Sequence, residues 1–424
     1  MWIRKRFDIS DWDLLWAFSR SLMPGFEPNI RASSSELPEP GLELRTLSVR
    51  SGFDLLLSAM DWPVGSEIIM SGMTIPDMPR IVEEHGLVPV GVEIDLTTLA
   101  STAQDVEKAI TKQTRAIVVA HLFGGLCDLD AIAAIARRHN LMLLEDCAQA
   151  WVGNHQSGDP RADVSMFSFG PIKTNTALAG AVFEVRQAAL LARMERIHQS
   201  WPQQSRWTFI KRVCKYALLK KVATRPAMAV LVRLARCFGR THDGFISSAA
   251  RGFPGPGFFR KIRQRPAQPL LKLLDRKLSR FDAGQVRARQ TCGQGIAQRL
   301  ARQLPVPGIS AIRQTWWVIG VLVDDPVALV EVMWRAGFDA TRNCSLKPVG
   351  DAELPNANLF LEHLVFLPFG MEMPAGELDR MVTLVLESGA QPPAWCEGVA
   401  SPFQIGPVAA SQNVDRPCRR TVGE

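Results

Sequence analysis

The sequence lacks several features that would assign it to a specialised class of protein. Its 424 residues contain no uncharged apolar run of ~18 residues, the length that a membrane-spanning helix needs. The N-terminal segment MWIRKRFDISDWDLLW has basic residues but no apolar stretch after them, so we expect no secretory signal. The eight cysteines include no CxxC pair and are too sparse for a disulfide scaffold or a zinc site, which favours a reducing cytoplasm.

The sequence also lacks two phosphate-binding motifs after its predicted strands and has little tyrosine. Neither GxGxxG nor GxxxxGK[ST] follows any predicted strand, so a Rossmann or P-loop protein is disfavoured. The single tyrosine, Tyr216, leaves the rest of the chain without a tyrosine acid or base. The apolar fraction of 47% is that of an ordinary globular chain and excludes disorder throughout.

The net charge of +7 is unevenly distributed along the chain. Residues 201–300 contain 22 Lys or Arg and three acidic residues, a balance of +19. The remaining residues then contain 49 − 22 = 27 basic and 42 − 3 = 39 acidic residues, a balance of −12. The sequence therefore predicts an acidic-to-neutral body that carries a strongly basic insert.

The body of the chain alternates strand-like and helix-like segments. Apolar or β-rich runs of strand length alternate with segments that favour helices, which is typical of βαβ units and a mainly parallel sheet. Such sheets bind ligands at the carboxyl ends of their strands. The predicted strands cover 66–72, 88–95, 115–123, 141–147, 179–185 and 315–323, and the predicted helices cover about 76–85, 103–110, 128–140 and 326–337.

Polar residues follow several of these runs. Glu145, Asp146 and Gln149 come at the end of one strand, and FSFGPIK supplies Ser168 and Lys173 about 20 residues later. Taken singly, an acid after a strand is more often a turn or cap residue, and a loop lysine is usually solvated. The individual residues therefore do not define a site.

Six segments taken together resemble a known family. SVRSGFDLLLSAM, EIIMSGMTI, VPVGVEID, TRAIVVAHLFG, LLEDCAQA and MFSFGPIK have the order and spacing of the DegT/StrS family of sugar aminotransferases, which depend on pyridoxal phosphate (PLP). The resemblance is continuous from about 48 to 185 and resumes in AGFDAT and LPNANLFLEHLVFLPFG. It implies an α/β fold of fold-type I, with a large domain built on a mainly parallel seven-stranded type of sheet and a small C-terminal α/β domain.

The resemblance also implies roles for individual residues. Lys173 matches the lysine that holds PLP as a Schiff base, and Asp146 matches the acid that pairs with the pyridine nitrogen. Gln149 matches the polar residue near the phenolic oxygen of the ring. The other matched cofactor-binding positions are Ser168 and the Ser51-Gly52 loop for the phosphate, Ala148 against the ring, and the aligned positions Phe53 and Ile75. No metal ligand is implied.

Several positions depart from the pattern of the family. Phe53 replaces a hydroxyl residue, Ile75 replaces an aromatic residue that stacks on the cofactor, and Gly180 alone remains of a GxGG run. The Asn-x-Arg-Met motif has no recognisable counterpart. Lys173 is retained where the sugar dehydratase branch has histidine, which favours transamination. We therefore expect PLP binding to survive and the substrate pocket to differ.

The expected function is that of a PLP-dependent aminotransferase. It would move an amino group from a small-molecule amino donor, glutamate in the family, to the keto group of a sugar nucleotide or a related, lipid-linked compound. A homodimer is implied by the resemblance. Two alternatives stay open: another PLP reaction such as elimination, and a repurposed or inactive PLP fold that acts as a membrane-associated partner in a glycan or lipid pathway.

The basic insert permits three interpretations. Its stretches 206–240 and 253–281 interleave Lys and Arg with aromatic and aliphatic residues. They could pack on the body or on a dimer partner, contact a membrane peripherally, or bind nucleic acid, which the absence of a reading motif disfavours. The predicted organisation is an arm (1–47), a PLP-binding domain (48–200), the insert (201–300), a small domain (301–390) and a flexible tail (391–424). A cytoplasmic protein is expected, with the inner membrane face as the alternative location.

Overall fold

A computed structural model describes residues 1–4, 7–23, 42–153, 158–222, 253, 255–342, 345–350 and 353–396. The predicted tail from 397 onward, and residues 223–252 and 254 of the predicted insert, lie outside the described residues. The helices are α1 (Asp11–Leu22), α2 (Val49–Met60), α3 (Asp77–Glu84), α4 (Ala103–Lys108), α5 (Asp130–Arg138), α6 (Ala188–Ser200), α7 (Arg206–Val222), α8 (Phe258–Ile262), α9 (Gln268–Ser279), α10 (Ala283–Leu300), α11 (Pro326–Arg335), α12 (Pro355–His363) and α13 (Ala375–Glu387).

In the described parts of the chain, the strands form one large sheet and three small ones. The strands are β1 (Glu43–Thr46), β2 (Glu67–Ser71), β3 (Met73–Thr74), β4 (Val88–Val92), β5 (Thr114–Ala120), β6 (Gly125–Leu126), β7 (Met142–Asp146), β8 (Val164–Ser168), β9 (Ala181–Val185), β10 (Arg313–Gln314), β11 (Ile319–Leu322), β12 (Lys347–Pro348) and β13 (Leu364–Leu367). The large sheet has seven strands in the order β1-β9-β8-β7-β5-β2-β4.

Five adjacent strands of the large sheet run parallel. The pairs β4–β2, β2–β5, β5–β7 and β7–β8 are all parallel, whereas β9 pairs antiparallel with both β8 and β1. The mainly parallel sheet predicted from the sequence is therefore confirmed. Its five parallel strands place their carboxyl ends on the same edge, where the candidate site lies.

Both faces of the sheet are buried. Because side chains alternate along a strand, Ile68 of β2 packs with α2 while the adjacent Ile69 packs with α5 on the opposite face. The α2 face also buries Phe53 and Phe183. Covering helices on both faces explain why these strands are apolar runs in the sequence, without the alternation of a half-exposed sheet.

Helices α1, α7 and α9 form an additional packed layer. Phe209, Val213 and Tyr216 of α7 are buried in one apolar cluster with Leu270 and Leu274 of α9. Part of the basic insert thus packs on the body of the protein. Among the described residues, no helix is both apolar enough and long enough to span a bilayer.

A buried ion pair connects this part of the chain to the sheet layer. The Asp54 carboxylate of α2 is fully buried and accepts hydrogen bonds from Arg263 Nε and Nη2, both at 2.9 Å. His85 Nε2 lies 3.1 Å from the same carboxylate. Burial alone would raise the pKa of Asp54, but the bonds to His85 and Arg263 hold that pKa below its usual value.

We expect Arg263→Met to lower the free energy of unfolding by about 2–3 kcal/mol, because among the described residues it leaves the buried Asp54 carboxylate with His85 as its one partner. Since the pKa of Asp54 is lowered by folding, the stabilisation is present above its unfolded pKa of ~4 and is lost as the pH falls below that value. Urea unfolding at pH 7 and pH 3 measures both effects, with Arg260→Met, on the exposed side of α8, as the matched control. Equal stabilities of the two variants at pH 7 would contradict the assignment.

Candidate active site

The ends of three parallel strands bring the predicted residues to one edge of the sheet. Asp146 is the last residue of β7 and is paired in register with Ala120 of β5. On the other side, β8 runs parallel to β7 and ends at Ser168. The backbone N–H of His121 donates to the carbonyl of Asp146 at 3.0 Å, which fixes the first turn after β5.

Lys173 returns to this edge through the turn that follows β8. Its backbone N–H donates to the carbonyl of Gly170 at 3.0 Å. A Cβ atom on Gly170 would lie 3.7 Å from Ser168 Oγ and 3.8 Å from Lys173 Cγ. The turn therefore places the hydroxyl of Ser168 and the side chain of Lys173 around one small space.

The charges at the site act on one another. Burial lowers the pKa of Lys173 to about 8, and Arg50 adds to this shift while Asp146 opposes it. Burial raises the pKa of Asp146, and the Ala148 N–H together with the charges of Lys173 and Arg50 limits that rise. The site thus holds an amine that loses its proton near neutral pH and a carboxylate that is available to a proton donor.

The Asp146 carboxylate and the Gln149 amide each have one oxygen that already accepts a hydrogen bond. Asp146 Oδ1 accepts the Ala148 N–H at 2.9 Å, and among the described residues no donor bonds to Oδ2. Gln149 Oε1 accepts the Phe123 N–H at 2.7 Å, so the amide NH₂ of Gln149 is the end left for a ligand. Both are fixed by backbone donors, which holds their orientation.

The predicted phosphate loop is a helix start in the structure. Ser51 and Gly52 lie in the first turn of α2, not in a loop, and Ser48 Oγ caps that helix by accepting the Ser51 N–H. The Gly52 N–H donates to the Ser48 carbonyl. Phe53 is fully buried in the core below, and Ile75 is half-buried beside α3. The prediction that Ser51-Gly52 begin a loop is therefore wrong, because Ser48 is a good N-cap and LLLSAM continues the helix.

Two further residues of the site, Trp317 and Arg50, are evident only in the structure. The Trp317 ring lies over Lys173, with 4.4 Å from Nζ to the ring centroid, and its Nε1–H donates to the carbonyl of Ile172 at 3.2 Å. Arg50, next to Ser51 on α2, pairs with Asp77 and influences both charged groups of the site. Arg50 lies within the SVRSGF segment, but no sequence pattern connects either Arg50 or Trp317 with Lys173.

A buried pair of side chains, His121 and Glu145, lies next to the site. The Cys127 N–H donates to Nδ1 of His121 at 3.1 Å, so Nε2 carries the proton and donates to Glu145 Oε1 at 2.8 Å. Glu145 also accepts from Ser165 Oγ and from the Asp159 N–H. Burial alone would raise the pKa of Glu145, but these hydrogen bonds lower it to about 2.

The same pair lies close to a buried thiol. One donor atom each of His121, Glu145 and Cys147 lie within 4.8 Å of one another. Both nitrogens of His121 are already engaged, and burial raises the pKa of the Cys147 thiol to about 12. The donor set is therefore that of a structural network rather than a metal site, since a metal requires a free ring nitrogen and a thiolate.

Comparison with known proteins finds a family match for the segment that contains this edge. Residues 44–211 match the sequence profile of the DegT/DnrJ/EryC1/StrS aminotransferase family. A curated L-glutamine:2-deoxy-scyllo-inosose aminotransferase from Micromonospora echinospora is 35% identical over 188 residues, which cover 43% of this chain and 44% of that protein. A protein of the same name from Streptoalloteichus tenebrarius is 38% identical over 145 residues, 34% of each chain. The aligned part of the chain thus spans less than half the length of these relatives.

Solved structures extend the likeness in fold to almost the whole chain. The aminotransferase TlmJ from Streptoalloteichus hindustanus has a TM-score of 0.66 at 17% identity and covers 92% of this chain and 98% of its own. The sugar aminotransferase CalS13 from Micromonospora echinospora has a TM-score of 0.63 at 18% identity and covers 92% and 100%. The predicted α/β fold of fold-type I is therefore confirmed. The resemblance found in the sequence is confirmed over this segment, since residues 44–211 match the DegT/DnrJ/EryC1/StrS aminotransferase family.

Proposed function

We propose that this protein is a PLP-dependent aminotransferase. The observation that carries the proposal is the pair formed by Lys173, with a pKa lowered to about 8, and Asp146, whose Oδ2 has no donor among the described residues. The family assignment of residues 44–211 supports it, because Lys173 and Asp146 both lie inside that segment. The residues present fit the cofactor.

In this proposal each residue has a separate task. PLP, when bound, supplies an electron sink that makes the bond to the α-hydrogen of an amino acid labile. Lys173 would hold the cofactor through its neutral amine and would then move the proton, which requires the low pKa that burial gives it. Asp146 Oδ2 would accept a hydrogen bond from the pyridine N–H and keep that nitrogen protonated. The NH₂ of Gln149, which has no partner among the described residues, would donate to the phenolic oxygen.

The phosphate would be held at the start of α2. Ser168 Oγ points into the space beside Lys173, and the positive end of the α2 dipole and the Arg50 side chain add favourable charge. The backbone N–H groups of Ser51 and Gly52 already donate to Ser48. We therefore assign phosphate binding chiefly to Ser168 and the helix start, with Ser51 as a supporting residue.

The substrates are an amino acid and a keto compound of sugar-like chemistry. The relatives are named for L-glutamine as donor and 2-deoxy-scyllo-inosose as acceptor, and the resemblance implies glutamate; both donors are therefore candidates. A nucleotide-linked or lipid-linked sugar ketone is the alternative class of acceptor. Ile75 stands where the family has an aromatic residue, and the Trp317 ring covers Lys173, so both side chains would shape the acceptor pocket. We further propose a homodimer in the cytoplasm.

The proposal is tested with purified protein and added PLP. A visible absorbance band should appear and should convert to the pyridoxamine form when L-glutamate or L-glutamine is added. Release of the corresponding 2-oxo acid, and amination of a cyclitol or sugar ketone in the second half-reaction, are then measured by mass spectrometry. Release of ammonia without amination would indicate elimination. A protein that remains colourless would contradict the proposal and favour the repurposed fold.

The pKa of Lys173 also predicts how cofactor uptake depends on pH. Only the neutral amine attacks PLP, so the rate of band formation in cofactor-free protein should rise with pH, with a midpoint of about 8. Asp146→Asn removes a negative charge that raises the pKa of Lys173, so the midpoint should fall below that of the wild type. Stopped-flow absorbance between pH 6 and pH 10.5 measures both. A midpoint near 10.5, the ordinary lysine value, would show that the amine is not desolvated.

A further inference from the structure

Helix α1 carries apolar side chains on both of its faces. Leu14, Ala17 and Ser21 are buried against the body of the protein. On the opposite face, large apolar side chains recur at helical spacing and are exposed to solvent. Their exposed fractions are 66% for Trp12, 61% for Leu15, 37% for Phe18, 50% for Leu22 and 63% for Met23, which directly follows the helix.

Helix α7 has an exposed face of mixed character. Trp207 and Leu218 are 61% and 66% exposed, although Phe209, Val213 and Tyr216 on the other face are buried. Lysines are interleaved with the two exposed apolar side chains. At helical spacing, Lys211, Lys215 and Lys221 share the face of Trp207 and Leu218, and all three are exposed.

These two faces adjoin. Helices α1 and α7 pack against each other, and Asp11 at the start of α1 pairs with Lys220 at 2.8 Å and with Lys221 at 3.2 Å near the end of α7. Asp11 and Lys221 are both exposed, so the pair joins the solvent-facing sides of the helices. We define the α1–α7 surface as Trp12, Leu15, Phe18, Leu22, Met23, Trp207, Lys211, Lys215, Leu218 and Lys221.

We propose that the α1–α7 surface binds the surface of an anionic lipid bilayer. Seven large apolar side chains on two adjacent helices exceed the scattered exposure of an ordinary soluble surface. Lysines beside tryptophan and leucine suit the boundary between acyl chains and headgroups, because their ammonium groups reach the phosphates while their stems cover apolar area. Within the two helices as the structure describes them, the acidic residues are Asp11 and Asp13, and both are already paired with basic side chains, so the charge complements anionic lipid.

Lipid binding at the α1–α7 surface requires neither the cofactor nor transamination. All but Trp207 and Lys211 of the α1–α7 surface lie outside the segment that matches the aminotransferase family. Binding would hold the protein at a membrane through this surface. It also commits the basic face of α7 to lipid headgroups, whereas α9 packs inside the body through Leu270, Leu273 and Leu274.

The test is co-sedimentation of the full chain with vesicles. Vesicles of phosphatidylcholine with 30% phosphatidylglycerol are compared with vesicles of phosphatidylcholine alone, and wild type should partition more strongly to the anionic ones. At about 5-fold for each lysine near an anionic surface, Lys211→Gln/Lys215→Gln should weaken anionic binding by ~25-fold. Leu15→Ser/Trp207→Ser should weaken it by about 10-fold or more.

Matched variants separate the surface from general effects. Lys112→Gln/Lys347→Gln and Val64→Ser/Ile312→Ser change the same residue classes at exposed positions elsewhere and should bind as wild type does. Circular dichroism checks that every variant is folded. Equal partitioning of wild type to both vesicle types, or equal losses in the control variants, would overturn the proposal. The proposal would also be overturned if wild type bound neither type of vesicle and the Leu15→Ser/Trp207→Ser variant had a smaller mass by light scattering. That result would mean that the surface joins two copies of the chain.

Discussion

Lys173→Ala is expected to abolish the visible absorbance band and to lower the rate of amino transfer by about 10³-fold or more. In the proposed function, the Lys173 side chain is both the nucleophile that holds the cofactor and the group that moves the proton. Loss of proton transfer alone lowers the reaction rate by about 10²–10⁴-fold. Its neighbour Asp146 and the covering Trp317 ring remain in place, so the loss is chemical. Absorbance spectra and single-turnover amination measure the two effects.

Lys173→Arg is the informative control for this prediction. Arginine keeps the positive charge beside Asp146 but does not lose its proton near neutral pH, so it should be as inactive as alanine. Borohydride reduction of the wild type should add the mass of reduced cofactor to the peptide that contains residue 173. If Lys173→Arg retained activity, or if the band persisted in Lys173→Ala, the covalent role assigned to this lysine would be wrong.

Asp146→Asn is expected to leave the cofactor bound and to lower the rate of amino transfer by about 10²–10³-fold. Removal of one partner from a buried charge pair costs ~3–5 kcal/mol, and 1.36 kcal/mol corresponds to a tenfold change in rate. Asparagine can still accept the Ala148 N–H at Oδ1, so the local backbone should keep its shape. Single-turnover rates with L-glutamate, together with the amount of cofactor bound, separate chemistry from binding.

Asp163→Asn provides the matched control for Asp146→Asn. Asp163 directly precedes β8 and lies at the amino end of the parallel strands, where its carboxylate accepts the Leu143 N–H at 2.8 Å. The same substitution there should change the rate less than about 3-fold, because it is remote from Lys173 and its amide oxygen can replace the acceptor. Comparable losses in the two variants would mean that Asp146 acts only through stability.

Much of the sheet was predictable because both of its faces are covered. The runs at 66–72, 115–123 and 141–147 are apolar without alternation, and they become β2, β5 and β7. The direction of β9 was not predictable, since a buried strand has the same composition whether it runs parallel or antiparallel to its neighbour. The start of α2 was misjudged for a related reason: Ser48, Ser51 and Gly52 suit both a loop and a capped first turn.

The residues of the candidate site also include some that the sequence predicts and some that it does not. Asp146 and Ser168 end their strands, and Gln149 and Lys173 come shortly after them, so convergence of the four at one edge could be predicted from the order of the strands. Arg50 and Trp317 could not be predicted, since their effect on Lys173 depends on tertiary packing. The roles of the residues in cofactor binding remain predictions, and so do the boundaries of the arm, the insert and the small domain.

The position of Trp317 shows that the candidate site extends beyond the segment that matches the family. The family match ends at residue 211, but the ring that covers the reactive amine comes from 145 positions beyond Ile172 in the chain. A fragment that stops at the end of the match would carry the lysine without its cover. For the proposed aminotransferase, an exchange of acceptor specificity with a relative would therefore have to include the loop around Trp317 as well as the strand ends. Transfer of residues 44–211 alone would leave Lys173 without the ring that covers it.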